Sequence, residues 1–174
     1  QRVVVRLASF ENVEEVTVNG LPTAREDEVL AADVPLVEGV NPLTARARKT
    51  TGREGTAHAT VLLDTVPPRL LASVPGDGQS GVPLSPEIRL TFSEELDPAT
   101  VTPAAFVLRA GGAAAIPVGV GREGPNVTVV PASPLGDSLL HDLILASTLT
   151  DLAGNPLAPA TVRFTTVDET APAP

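Results

Sequence analysis

The chain has 174 residues, 12 basic and 21 acidic side chains, a net charge of −9 and no cysteine. An acidic chain without a basic stripe is a poor partner for nucleic acid, where phosphate contacts dominate, and the absence of cysteine removes disulfides, thiolate metal sites and thiol nucleophiles. No apolar run approaches the roughly 20 residues that span a bilayer as a helix, so membrane insertion is not expected.

Hydrophobic residues make up 43% of the chain but aromatic ones only 2%, so cores must be built from Val, Leu, Ile and Ala, which suit pleated sheets. Prolines and glycines punctuate the apolar runs rather than filling low-complexity tracts, which favours ordered β-structure with many turns. In chain order, Val3, Val5 and Leu7 share one face by period-2 alternation, and Val16 and Val18 follow. Asn19-Gly20 is a favoured type I′ hairpin turn, because both positions tolerate positive φ. Val29 and Ala31 lead to Pro35–Asn41, which reads as strand end, turn and strand start. Leu43, Ala45 and Ala47 then alternate with Thr44, Arg46 and Arg48, and Ala57, Ala59, Val61 and Leu63 with His58 and Thr60. Each run predicts one dry and one wet face, as in antiparallel sheets.

Next comes Leu63-Asp64-Thr65-Val66-Pro67-Pro68, and a similar string, Val167-Asp168-Glu169-Thr170-Ala171-Pro172-Ala173-Pro174, closes the chain. A repeated stiff connector marks a repeated module. The expected organisation is a domain over 1–66, a second over 67–167, and a linker over 168–174. Gln1 opens directly on a strand-like run without Met or a signal peptide, as expected of an excised or processed segment. Seven strands are expected in the second block, roughly 69–74, 87–93, 104–109, 113–120, 126–131, 140–147 and 160–167. Ile88, Leu90 and Phe92 face one way and Arg89, Thr91 and Ser93 the other; Val127 and Val129 repeat the pattern, as do Val162 and Phe164. Asp97-Pro98-Ala99-Thr100 reads as an N-capped helical turn, and Gly121–Gly124 as a hairpin turn. Short, evenly spaced strands without a long amphipathic helix predict an all-β fold of antiparallel sandwiches.

These residues carry a resemblance. Val16–Gly20, Val34–Asn41 and Leu63–Pro68 together resemble the Ig-like modules found in tandem on bacterial surface proteins. Ser73-Val74-Pro75, Gly81–Ser85, Leu90–Pro98, Asp151–Leu157 and Phe164–Thr166 resemble the bacterial Ig-like domain family typified by S-layer proteins. The resemblance implies two Ig-like antiparallel β-sandwiches in tandem, an extracellular or cell-surface location, and neighbouring Ig-like domains of the same chain as partners. The first family usually has an acidic residue followed by Gly-Asn in its penultimate hairpin. Here that region reads Lys49–Arg53, so a cation bound there in relatives is not expected. The family also usually has a strand ahead of the one beginning at Arg2. Its absence would leave an edge unpaired and the first module less complete.

Candidate chemistry is sparse. Asp151-Leu152-Ala153-Gly154-Asn155 could offer Asp and Asn oxygens to calcium, but one carboxylate is far short of a coordination shell. A turn closed by Asp151, with Gly154 or Asn155 at positive φ, is the preferred reading. Asp64 and Asp168 mark the connectors; Asp64 could share a cation with Asp77, although capping the last strand is the simpler role. The metal candidates are therefore Asp64, Asp77, Asp151 and Asn155, with calcium the only cofactor considered. Glu94, Glu95 and Asp97 follow a strand, but adjacent Glu94 and Glu95 point to opposite faces when extended and do not make a catalytic pair. His58 and His141 lie in different blocks without a partner set for serine or zinc chemistry. His141 is expected to hydrogen-bond to the loop at Leu135–Asp137, much as a tyrosine corner does. The resulting expectation is a non-catalytic spacer or stalk in a larger bacterial surface or secreted protein. The alternatives are an adhesion or ligand-binding module, with another surface protein as partner, and an accessory domain of an extracellular carbohydrate-active enzyme. The lack of Trp and Tyr weighs against a glycan platform.

Overall fold

The computed structural model describes residues 2–5, 11–27, 29–111 and 113–169. The described residues are almost entirely strand, turn and loop, and the chain divides into two compact units, Gln1–Thr65 and Val66–Pro174. The first unit holds β1 (Arg2–Val5), β2 (Val13–Val18), β3 (Leu21–Pro22), β4 (Ala24–Glu26), β5 (Val29–Asp33), β6 (Gly39–Lys49) and β7 (Glu54–Leu63). Leu7 lies outside the described residues, so its alternation with Val3 and Val5 is not followed further.

Two sheets form the first unit, in orders β1-β5-β4 and β3-β2-β6-β7. Val18, Ala32, Val34 and Leu43 are its buried core, with Leu36, Ala45 and Val61 packed against them. Asn19 and Gly20 take φ of 50° and 80°, as a type I′ turn between β2 and β3 requires. The Asn19 side chain also donates to Pro42 O and accepts from the Thr44 N–H, tying the hairpin to β6. In the Pro35–Asn41 segment, buried Asn41 closes the turn. Its Oδ1 accepts the Val37 N–H, and its Nδ2 donates to Val37 O and Gly39 O. One expectation fails: Ala57 and Ala59 are exposed rather than dry. Among the described residues β7 pairs on one side only, with β6, and Glu54–Thr60 are all exposed.

The second unit holds β8 (Leu70–Val74), β9 (Gln79–Val82), β10 (Ile88–Phe92), a 3₁₀ turn over Pro103–Ala105, β11 (Phe106–Ala110), β12 (Val118–Glu123), β13 (Asn126–Pro131), β14 (Leu140–Leu145) and β15 (Ala160–Thr166). Its sheets run β12-β13-β10-β8 and β11-β14-β15-β9. All pairings are antiparallel except that of β9 with β15. The alternation seen in sequence becomes the core: Ile88, Leu90 and Phe92 from β10, and Val127 and Val129 from β13, join one cluster with Leu108, Leu143, Leu145, Val162 and Phe164 of the other sheet.

The two units share a connectivity. In chain order, β1, β4 and β5 form a sheet as β10, β12 and β13 do, and β2, β6 and β7 form one as β11, β14 and β15 do. Strands β8 and β9 have no counterpart among the described residues of the first unit.

Two local readings are corrected. The strand expected over 113–120 begins only at Val118, because Pro117 has no N–H for a ladder; before it, Ile116 makes a single bridge to Leu108. The turn expected at Gly121–Gly124 moves along, since β12 runs through Glu123 and the turn falls at Gly124-Pro125. Asp97–Thr100 is the single capped turn expected: Asp97 Oδ1 accepts the Ala99 N–H, and Asp97 O accepts the Thr100 N–H. Strand β9 was not foreseen, because Gln79-Ser80-Gly81-Val82 shows no apolar alternation.

Leu90 is fully buried. Replacing it with Ala lowers the unfolding free energy of the second unit by about 2–5 kcal/mol, read from urea unfolding followed by far-UV circular dichroism.

Candidate functional site

The loop between β14 and β15 builds the most closely tied polar site among the described residues. Leu149 and Leu157 are buried on either side of it, and Thr150 bridges Pro156. Between them Asp151, only 1% exposed, folds the chain around its carboxylate. Oδ1 accepts the N–H groups of Ala153 and Asn155 at 2.9 and 2.8 Å. Oδ2 accepts from Asn155 Nδ2 at 2.8 Å. Gly154 supplies the left-handed residue, with φ of 92°. Burial alone would raise the Asp151 pKa. The Asn155 side chain and the N–H groups of Asn155, Ala153 and Gly154 outweigh it and hold the carboxyl below its ordinary value. Chemically this is an acid fully engaged in closing its own turn.

The neighbouring Ser93–Asp97 segment approaches this turn. Leu96 bridges Asp151, the Asp97 N–H donates to Thr150 O, and a Glu94 carboxylate oxygen lies within 4.8 Å of one of Asp151. The three acids of that segment have different tasks. Glu94 is half-buried beside the turn, Glu95 faces Arg122 at 3.7 Å, and Asp97 caps its own turn.

The structure brings Asp151 and Asn155 together and places Asp77 on the loop before β9. Asp77 is exposed, and its Oδ1 accepts the Arg163 N–H at 2.8 Å, stitching the loop before β9 onto β15. Asp64, half-buried, follows β7 in the first unit.

The two histidines have different settings. His58 Nδ1 lies 3.2 Å from Thr44 Oγ1 across β6 and β7, on an exposed face. His141 is fully buried and stacks on Phe164, with ring centroids 5.4 Å apart. Its expected bond to the Leu135–Asp137 loop is replaced: Nδ1 donates to Leu139 O at 3.0 Å, and Thr166 Oγ1 donates to Gly136 O at 2.6 Å. This assigns the proton to Nδ1 and leaves Nε2 buried without a hydrogen-bond partner among the described residues. Desolvation drives the His141 pKa below 6.5, outweighing the Leu139 carbonyl and the charge of Asp142.

A shallow trough of about 640 Å³ lies over the outer face of β8, β10, β13 and β12, lined by Ser73, Arg89, Thr91, Arg122, Asn126 and Thr128 among others. Its cations are answered by acids, Arg89 by Glu87 at 3.1 Å and Arg122 by Glu95. No aromatic residue lines it.

A bacterial Ig-like domain family matches residues 64–166, more than half of the chain. This chain belongs to the bacterial Ig-like domain family. Similar solved structures include the N-terminal part of the bacterial S-layer protein SbsC, at 25% identity and a TM-score of 0.45, over 62% of this chain and 25% of that one. The human desmocollin-1 ectodomain aligns at 12% identity and a TM-score of 0.49, over 92% and 35% of the two chains. SGBP-B of the Bacteroides ovatus mixed-linkage glucan utilization locus, solved with a mixed-linkage heptasaccharide, aligns at 14% identity and a TM-score of 0.29, over 94% and 41%. The chain thus spans about a quarter of the S-layer chain. No match was found among curated protein sequences. Within the Ig-like domain of this chain, the Asp151 turn joins the two strands β14 and β15.

The pH behaviour follows from these two buried groups. Because the folded-state pKa of His141 is depressed, the unfolded chain takes up its proton first. Stability therefore falls as pH drops below about 6.5 and levels off below the folded-state value; His141→Phe removes this loss in melting temperature measured from pH 8 to pH 5. The contribution of Asp151 is complete above its ordinary 3.8 and is lost as pH falls through its lower folded-state value. Asp151→Ala leaves turn N–H groups unanswered and costs at least about 2 kcal/mol at pH 7, measured by chemical denaturation.

Proposed function

We propose that this chain is a non-catalytic spacer segment of a larger bacterial surface or secreted protein. Residues 1–66 and 67–167 act as consecutive Ig-like modules, and 168–174 as a linker to the next. The carrying observation is how the polar side chains are used. Asn41, Asp77, Asp97 and Asp151 each bond to backbone in or beside their own loops, which shapes the module and leaves little chemistry for a substrate. The family match and the connector Asp64–Pro68 support the same reading. No helix among the described residues is long and apolar enough to cross a membrane.

The mechanism is geometric. Each module is a compact unit, and the adjacent Pro67 and Pro68 restrict φ and remove two N–H donors, so the chain passes between modules with little freedom. An extracellular or cell-surface location and neighbouring modules as partners belong to this proposal.

The test is replacement inside the parent protein. Exchanging residues 1–174 for an unrelated rigid segment of equal length preserves the parent's surface function if the segment is a spacer. Loss of that function with correct display would assign it a binding role instead. Calcium is a subordinate proposal at Asp151 and Asn155, and the three hydrogen bonds already accepted by Asp151 weigh against it. Adding excess calcium is accordingly expected to leave the melting temperature unchanged. A rise that grows with calcium concentration would place an ion in the folded state.

A further inference from the structure

The loop before the penultimate strand carries a carboxylate in both units, and in both it reaches the segment that leaves the last strand. In the first unit this is the loop between β5 and β6. Glu38 Oε1 accepts the Thr65 N–H at 3.0 Å, and Oε2 accepts the Thr65 hydroxyl at 2.7 Å. In the second unit it is the loop between β13 and β14, where Asp137 Oδ1 accepts the Glu169 N–H at 2.7 Å. These loops are equivalent by connectivity, and the residues gripped are equivalent by sequence: Thr65 follows Asp64, and Glu169 follows Asp168. The short contacts are those of charge-assisted bonds.

We propose that Glu38 and Asp137 are positioning residues that clamp the outgoing connector and fix the direction in which the chain leaves each unit. This deepens the spacer reading and rests on it for its purpose: the clamps make the connectors joints rather than tethers. The Thr65 hydroxyl, and after it the Thr65 N–H, hold the Glu38 carboxyl below its ordinary range, so the clamp is intact at neutral pH. On the far side of the first connector, Pro68 O accepts the Ala158 N–H at 3.2 Å within the second unit. Only Val66 and Pro67 lie between the two anchored residues. Pro67 has its φ set by its ring, and both Val66 and Pro67 precede a proline, which disfavours helical backbone. In the second unit the outgoing strand is held further, the Val167 N–H donating to Val82 O and Val167 O accepting from the Ser138 N–H.

The test uses the 174-residue chain, whose lack of cysteine permits clean spin labels at introduced Arg46→Cys and Thr161→Cys. Amide exchange is followed by NMR, and the distance distribution between labels by pulsed EPR. In Glu38→Ala, Thr65 exchanges at least about fivefold faster, as expected for loss of one net hydrogen bond, while Leu43 in the core is unchanged and the distance distribution broadens. Glu38→Gln keeps one acceptor and falls between. Asp137→Ala accelerates Glu169 alone and leaves the distribution as it was. Unchanged Thr65 exchange, or an unchanged distribution width, in Glu38→Ala overturns the clamp. Should Glu38→Ala also accelerate Leu43, Thr65→Val decides instead: it removes only the hydroxyl contact, and no broadening there overturns the proposal. Discovery of a binding role for the segment would remove the spacer reading and leave these measurements standing on their own.

Discussion

Loop backbone N–H groups must find acceptors, and in this protein short acidic and amide side chains provide many of them. Asn41 answers the turn before β6, Asp97 the turn after β10, Asp151 the turn before β15, and Asp77 the N–H of Arg163. Without disulfides or metal ligation by cysteine, this side-chain-to-backbone bonding helps hold the strands in register at the ends of the sheets.

The two units share a connectivity yet differ in how completely it is covered. In the second, β8 and β9 pair with β10 and β15, and the core reaches from Leu70 to Phe164. In the first, the buried cluster among the described residues is Val18, Ala32, Val34 and Leu43, with Val16, Leu30 and Ala31 also buried, and Ala57 and Ala59 on β7 face solvent. A strand edge with one partner keeps alternate backbone groups open to water, and the small side chains of Ala57 and Ala59 expose little apolar area there.

Much of the fold was legible because alternation over four or more residues has a single physical consequence in a half-buried sheet. Val16 and Val18, Ile88, Leu90 and Phe92, Val127 and Val129, and Val162 and Phe164 are all buried. The Asn19-Gly20 turn was legible because two consecutive positive φ values require residues of this kind. Strand β9 was not, since its pairing with β15 is decided by Asp77 and by a distant strand rather than by its own pattern. The part of the candidate site within one loop, Asp151 to Asn155, was readable for the same reason as the turn. The approach of Glu94 to it was not, nor was the reach of Glu38 to Thr65, 27 residues away in sequence.

By itself the sequence determined the all-β class, the positions of most strands, the repeated connector and the residues able to close each turn, because these depend on neighbours two to four residues apart. Only the tertiary structure decided which apolar faces are covered, which carboxylates reach a connector, and that His141 stacks on Phe164 with Nε2 buried. Those outcomes depend on which strands become neighbours, and strand pairing is a long-range choice that no local window of residues contains.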